Sequence, residues 1–117
     1  MSNDENTTVA ALRREMQRFV EERDWQQFHS PKNLSMAIAI EAAELMEHYQ
    51  WLNEREAAQA AESAETMAKV REELADVLCF ALSFANALGI DISQSVRAKM
   101  IKNATKYPVE RFRGRFR

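Results

Sequence analysis

A chain of 117 residues is long enough for one domain and short for two, so a single domain with its core at about 8–108 and tails at 1–7 and 109–117 is expected. The formal charge of -2 supplies no overall basic field, so no nucleic-acid partner is expected. With one cysteine, Cys79, an intrachain disulfide is impossible, which fits a reducing compartment, and two glycines with two prolines are too few for a turn-rich β architecture.

The first residues, MSNDENTT, are polar and acidic and match neither a signal peptide nor a transit peptide. No apolar run approaches the roughly 18 residues that cross a bilayer, so no membrane partner and a cytoplasmic location are expected. Alanine, leucine, methionine, glutamate, glutamine, lysine and arginine dominate and favour helix. The expected class is all-α.

Thr8 can cap a first helix over about 8–23, whose Val9, Leu12, Met16, Phe19 and Val20 fall at helical spacing. The stretch Asp24 to Pro31 is aromatic, polar and closed by proline, and reads as a loop. A second helix is expected from about Asn33 to Leu52, stopped by a left-handed Asn53. Residues 54–64 read as a short helix or a mobile connector. A third helix spans about 65–88 and ends at Gly89; Asp91 or Ser93 starts a fourth that runs to about Lys106, and Pro108 limits its continuation. Four helices with short connections predict an antiparallel four-helix bundle, and a core this small gains from assembly as a homo-oligomer.

The run from Leu34 to Met46 is apolar around nearly the whole helix, which predicts burial on most sides. Its only charges are Glu41 and Glu44, three apart and so on one face. The run from Leu74 to Leu88 has the same character, with Asp76 as its one charge and Glu73 three residues earlier. Neither run contains a lysine or arginine. An unpaired buried carboxylate costs several kcal/mol or takes up a proton. A divalent cation removes that conflict, and an all-oxygen site suits magnesium, with manganese as a substitute. No histidine or cysteine is interleaved among the four acids at metal-ligand spacing, which disfavours zinc, although His48 follows Glu44 by four residues. An acidic i, i+3 pair alone is most often a solvated face; here it occurs twice, each time in an apolar run.

Around these acids, Asn33, Ala37, Glu41, Glu44, His48 and Trp51 fall on one flank of the second helix, and Glu73, Asp76 and Phe80 on one flank of the third. Trp25, Phe28, Trp51 and Phe80 are therefore candidates for a nucleobase pocket, since every base offers a π-face. Ordinary core packing is the competing account of these aromatics. On the fourth helix Lys99, Asn103 and either Lys106 or Tyr107 recur along one stripe, suited to the outer phosphates of a triphosphate. A solvated amphipathic face explains the same stripe.

Glu41-x-x-Glu44, 28 intervening residues, and Glu73-x-x-Asp76 resemble the signature of the MazG-type all-α nucleotide pyrophosphohydrolases. Arg23 to His29, Asn33-Leu34, Gln50-Trp51, Glu73 to Leu78, and Lys99 with Asn103 and Lys106-Tyr107-Pro108 are similar to the dCTP pyrophosphatase branch, so the likeness covers about 9–108. The resemblance implies magnesium held by Glu41, Glu44, Glu73 and Asp76. It also implies a base and sugar pocket shaped by Trp25, His29 and Trp51, with Lys99, Asn103 and Tyr107 on the phosphates or sugar. It further implies a homodimer or homotetramer with pockets completed by a neighbouring subunit, and a role in clearing surplus or modified nucleotides. Where cytosine-preferring relatives often carry tyrosine, this chain has Phe80 and lacks a hydroxyl contact.

The expected reaction is hydrolysis of a nucleoside triphosphate, dCTP or a related or modified dNTP, to monophosphate and pyrophosphate. A carboxylate not fully engaged by metal, Glu44 as first choice, would take the proton of the attacking water. Attack at the α-phosphorus is implied by the resemblance alone. Two other classes remain open on sequence. One is a di-metal carboxylate oxidoreductase bundle, which normally uses Glu-x-x-His pairs. The other is a non-catalytic helical module that binds through Arg111, Arg113, Arg115 and Arg117.

Overall fold

The computed structural model describes residues 1–115. Among them the regular structure is all helical: α1 (Val9–Glu22), a 3-10 turn (Gln26–Phe28), α2 (Pro31–Glu47), α3 (Glu54–Ala60), α4 (Ala64–Leu88), α5 (Ile92–Lys106) and the single turn α6 (Val109–Phe112).

Local chemistry sets the boundaries. Thr8, Ser30, Ser63 and Asp91 each accept a backbone N–H three residues on, capping α1, α2, α4 and α5. Pro31 follows its cap as the first residue of α2, where its missing N–H leaves nothing unsatisfied. Gly89 ends α4 with φ +65°, a left-handed conformation that a side chain would strain.

Three expected boundaries are corrected. α2 stops at Glu47, and the chain continues in turns through Trp51. Asn53 has φ -79°, so it is not a left-handed stop for α2; it opens α3 through a reciprocal capping box with Glu56. The left-handed non-glycine residue is Asp24, φ 52°, which turns the chain from α1 into the 3-10 segment. Asp is among the residues that tolerate this region. The expected loop over residues 24–31 thus contains a short helical turn and the start of α2.

α2 packs along α4, and α1 packs on α4 beside it. Both run antiparallel to α4. Pro31 at the start of α2 lies near Ser83, Asn86 and Ala87, while His48 at its end meets Glu73. In α1, Arg13 meets Asn86, whereas Met16 and Phe19 share a cavity with Asp76 and Cys79. Leu34 is the large side chain most completely enclosed, at 1% exposure, with Val20, Ala85 and Ser83 also buried. Replacing Leu34 by alanine should cost about 2–5 kcal/mol.

α5 leaves the end of α4 bent by 102°, so the three helices packed within one chain are α1, α2 and α4. The radius of gyration is 17.3 Å, against about 13 Å for a compact chain of this length. The accessible surface is 9627 Å², against about 6500 Å² for a typical folded monomer of this mass. The burial expected around the whole of the second helix is not met within one chain: Met36, Ile40 and Met46 of α2 are exposed. So are Leu74 and Leu78 of α4 and Val96, Met100 and Ile101 of α5. Among the described residues no single helix is long and apolar enough to cross a membrane.

Candidate active site

The i, i+3 spacing within α2 and within α4 puts each acidic pair on one helix face, and the α2–α4 contact turns those faces together. Carboxylate oxygens of Glu41, Glu73 and Asp76 lie within 4.8 Å of one another. Glu44 stands within hydrogen-bonding reach of Glu41 and Glu73 and raises both. Burial is the largest cause of the shift at Glu41, followed by Glu44 and then the charges of Asp76 and Glu73; together they push its carboxyl up to about 6. Glu73 is raised for the same reasons, burial first, with a partial offset from His48.

Oε2 of Glu41 is sealed from solvent and accepts no hydrogen bond among the described residues. Its near neighbour Glu44 is another carboxylate, which relieves it only by sharing a proton. A basic group meets the cluster at His48, whose Nε2 lies 3.8 Å from Oε1 of Glu73. An orphaned buried oxygen, raised carboxyls and an all-oxygen donor set fit a hard divalent cation. His48 is not among the three gathered donors, so the Glu-x-x-His pattern of di-iron bundles is not reproduced there.

Asp76 also borders a cavity of about 410 Å³, lined by Met16, Phe19, Val20, Trp25, His29, Cys79 and Phe80. Rings link its walls: Phe19 meets Trp25 edge-on at 5.7 Å, Trp25 lies 6.3 Å from His29, and His29 lies 6.4 Å from Phe80. The turn that carries Trp25 and His29 is fastened to the start of α2 by Asn33, whose Nδ2 donates to the Phe28 carbonyl at 3.1 Å. Burial, and secondarily Asp76, push the Cys79 thiol up, so it stays protonated and packs as a small apolar group.

Trp25, His29 and Phe80 line one cavity with Asp76. Asn33 instead braces the turn, and Phe28 points outward, 59% exposed. Trp51 lies beyond the end of α2 and is 87% exposed, so the helical flank drawn through it ends at His48. Lys99, Asn103, Lys106 and Tyr107 sit on and just after α5, outside this cavity. Asn103 approaches Met100, Lys106 lies over the Tyr107 ring, and Tyr107 packs on Phe112. Met16, Phe19, Val20 and Cys79 are lining residues that the sequence reading did not single out. The signal was present: Cys79 follows Asp76 by three residues on α4, and Met16, Phe19 and Val20 share a face of α1.

Residues 36–115, which include all four acids, match the MazG-like family. The chain belongs to that family. A solved pyrophosphatase structure from Archaeoglobus fulgidus superposes with a TM-score of 0.81 at 34% sequence identity, covering 92% of this chain and 99% of that one. The dCTP pyrophosphatase 1 proteins of Bos taurus and Mus musculus are each 39% identical over 107 residues, 92% of this chain. That of Homo sapiens is 38% identical over 101 residues. This chain spans 63% of the length of the bovine and mouse relatives. The all-α MazG-like fold thus agrees with the class expected from composition. The matched segment starts inside α2, so α1 and the tryptophan turn lie outside it.

Proposed function

We propose that this MazG-like chain is a magnesium-dependent pyrophosphohydrolase that cleaves a deoxynucleoside triphosphate, dCTP or a base-modified relative, into monophosphate and pyrophosphate. The observation that carries the reading is that Asp76 belongs both to the acidic cluster and to the aromatic-walled cavity. One residue thereby joins a cation site to a nucleobase-sized space. The names of the dCTP pyrophosphatase relatives support the same substrate class.

Glu41, Glu73 and Asp76 would hold the metal, with Glu44 at their side. When bound, the metal supplies charge neutralisation and polarisation of a phosphoryl oxygen. Glu44, outside the tight group of three, accepts the proton of the water that attacks the α-phosphorus as pyrophosphate leaves. His48 partly offsets the burial and the neighbouring acids that oppose ionisation of Glu73. Trp25 and Phe80 bracket the base, His29 offers its edge a ring nitrogen, and Asn33 keeps the turn in place.

The open shape of one chain favours a homodimer or homotetramer. The exposed apolar residues of α2, α4 and α5 need a cover, and a second copy supplies one. Lys99, Asn103, Lys106, Tyr107 and Trp51 would then reach triphosphate or base across the subunit boundary. The cytoplasm, where nucleotide pools reside and a lone thiol stays reduced, is the proposed location, and removal of surplus or modified nucleotides the proposed role.

The test is a panel of dNTPs, NTPs and C5-modified dCTPs with magnesium, assayed for both products. Stoichiometric pyrophosphate and monophosphate, lost on adding a chelator, is the expected result. Release of inorganic phosphate alone, or activity that survives chelation, overturns the proposal.

A further inference from the structure

Val20 and His29 also line a second cavity of about 280 Å³, together with Gln17, Gln26, Pro31, Ser83 and Asn86 among others. Two of the groups around it are buried polar atoms with no partner among the described residues. Ser83 is 5% exposed and its Oγ makes no hydrogen bond, although a helical serine usually returns one to the preceding turn. Nδ1 of His29 is likewise sealed and unpartnered. Buried polar atoms are almost always satisfied, if not by protein then by ordered water. A cavity of this size has room for water, and one molecule reaching both groups would satisfy them together.

His29 lines both cavities. A water held on Nδ1 would leave Nε2 as the nitrogen free for a ligand in the aromatic cavity. Ser83 follows Phe80 by three residues and Cys79 by four, so it continues the α4 face that already carries Asp76 and Phe80. We propose that Ser83 is a positioning residue: through water held in the smaller cavity it fixes the His29 ring so that Nε2 meets the nucleobase. The inference rests on the reading of the larger cavity as the base pocket. It assigns a role to a residue that touches neither substrate nor metal.

Ser83→Ala removes a hydroxyl that bonds to nothing among the described residues, so a merely structural serine predicts an unchanged or more stable protein with unchanged kinetics. A positioning role predicts otherwise. For dCTP with magnesium, KM should rise about fivefold in Ser83→Ala with kcat within about twofold, and Ser83→Thr, which keeps the hydroxyl, should restore it. In a His29→Ala background the same Ser83→Ala change should have no further effect, because the residue through which it acts is gone. An equal KM penalty in both backgrounds, or none in either, overturns the proposal.

A second arm needs no substrate. Nitrogen–proton correlation spectra resolve the two histidine rings, His29 being identified by its loss in His29→Ala. Ser83→Ala should shift the His29 ring nitrogens and leave those of His48 in place. Unmoved His29 signals overturn the link between the two residues. Shifted signals with unchanged KM retain that link and refute the base-pocket reading.

Discussion

Asn86 of α4 and Arg13 of α1 hold each other twice: Arg13 Nε donates to Asn86 Oδ1 at 2.9 Å, and Asn86 Nδ2 returns a bond to the Arg13 carbonyl at 3.0 Å. Both bonds are partly shielded from water and close a sequence gap of 73 residues. They matter because the core beneath α1 is thin, with Val20 the one buried residue that α1 contributes. The same helix carries Met16 and Phe19 into the aromatic cavity. Asn86→Ala removes both bonds and should cost about 1–3 kcal/mol in urea unfolding. Its effect on activity should fall on KM, since the wall of the cavity loosens while the α2–α4 acids stay in place. A loss confined to kcat would show that the pair does something other than hold α1.

The acids make the strongest claim. Glu41→Gln or Asp76→Asn should reduce turnover by at least about a thousandfold, because each removes a carboxylate needed to hold and balance a divalent cation. Circular dichroism should report unchanged helicity in both. Glu41→Gln should also raise the Tm of the metal-free protein at pH 7, since it removes a negative charge from a place where burial and Glu44 oppose ionisation. Near-normal hydrolysis by both variants would remove the acidic cluster from the mechanism.

The same cluster dictates a pH dependence. The folded-state value of Glu41 lies at about 6, above its ordinary 4.5, so between these values the folded chain binds more protons than the unfolded one. Stability of the metal-free protein should therefore fall as pH rises from about 4.5 to 6 and then level off, with Glu73 contributing in the same direction. Millimolar magnesium should restore most of the loss above pH 6, because the ion binds the ionised acids of the folded state alone. Calorimetric scans across pH with magnesium or a chelator check both halves. A metal-free stability that rises through this window would contradict the raised carboxyls.

What the sequence disclosed depended on whether the information was local. Thr8 and Gly89 marked helix ends correctly, and Asp91 rather than Ser93 opens α5, because a cap is a short-range bond or a single backbone dihedral. The acidic pairs were legible because a charge in an apolar helix conflicts with burial whatever the fold. Asn53 was misread because asparagine serves both as a left-handed stop and as an N-cap; Glu56 three residues later was the cue that decides between them. The path of α5 was not legible, since its 102° bend is set at the short Gly89–Asp91 connection and not by the periodicity of either helix. Full burial of α2 failed within one chain for a related reason. An all-round apolar pattern states that a face must be covered, but not whether the same chain covers it.

Phe80 gives the sharpest handle on selectivity. Its ring closes one side of the aromatic cavity, 6.4 Å from His29, and joins an apolar wall of Met16, Phe19, Val20, Trp25 and Cys79, with Asp76 and His29 as the polar lining residues. Such a wall reads shape and apolar contact, and a pocket of that kind discriminates weakly between bases of similar size. Phe80→Tyr places a hydroxyl where the ring edge meets the cavity, adding a donor and acceptor at little change in volume. A base that pairs with the hydroxyl gains, and one that leaves it unpaired loses, so the ratio of kcat/KM for dCTP over dTTP should change by about tenfold. The change should be smaller for C5-methyl dCTP, whose methyl group already draws on the apolar wall. Steady-state measurements on the three substrates with both forms suffice. A ratio that does not move would mean that the Phe80 ring never touches the base, and the pocket would have to be sought among the residues a partner copy brings.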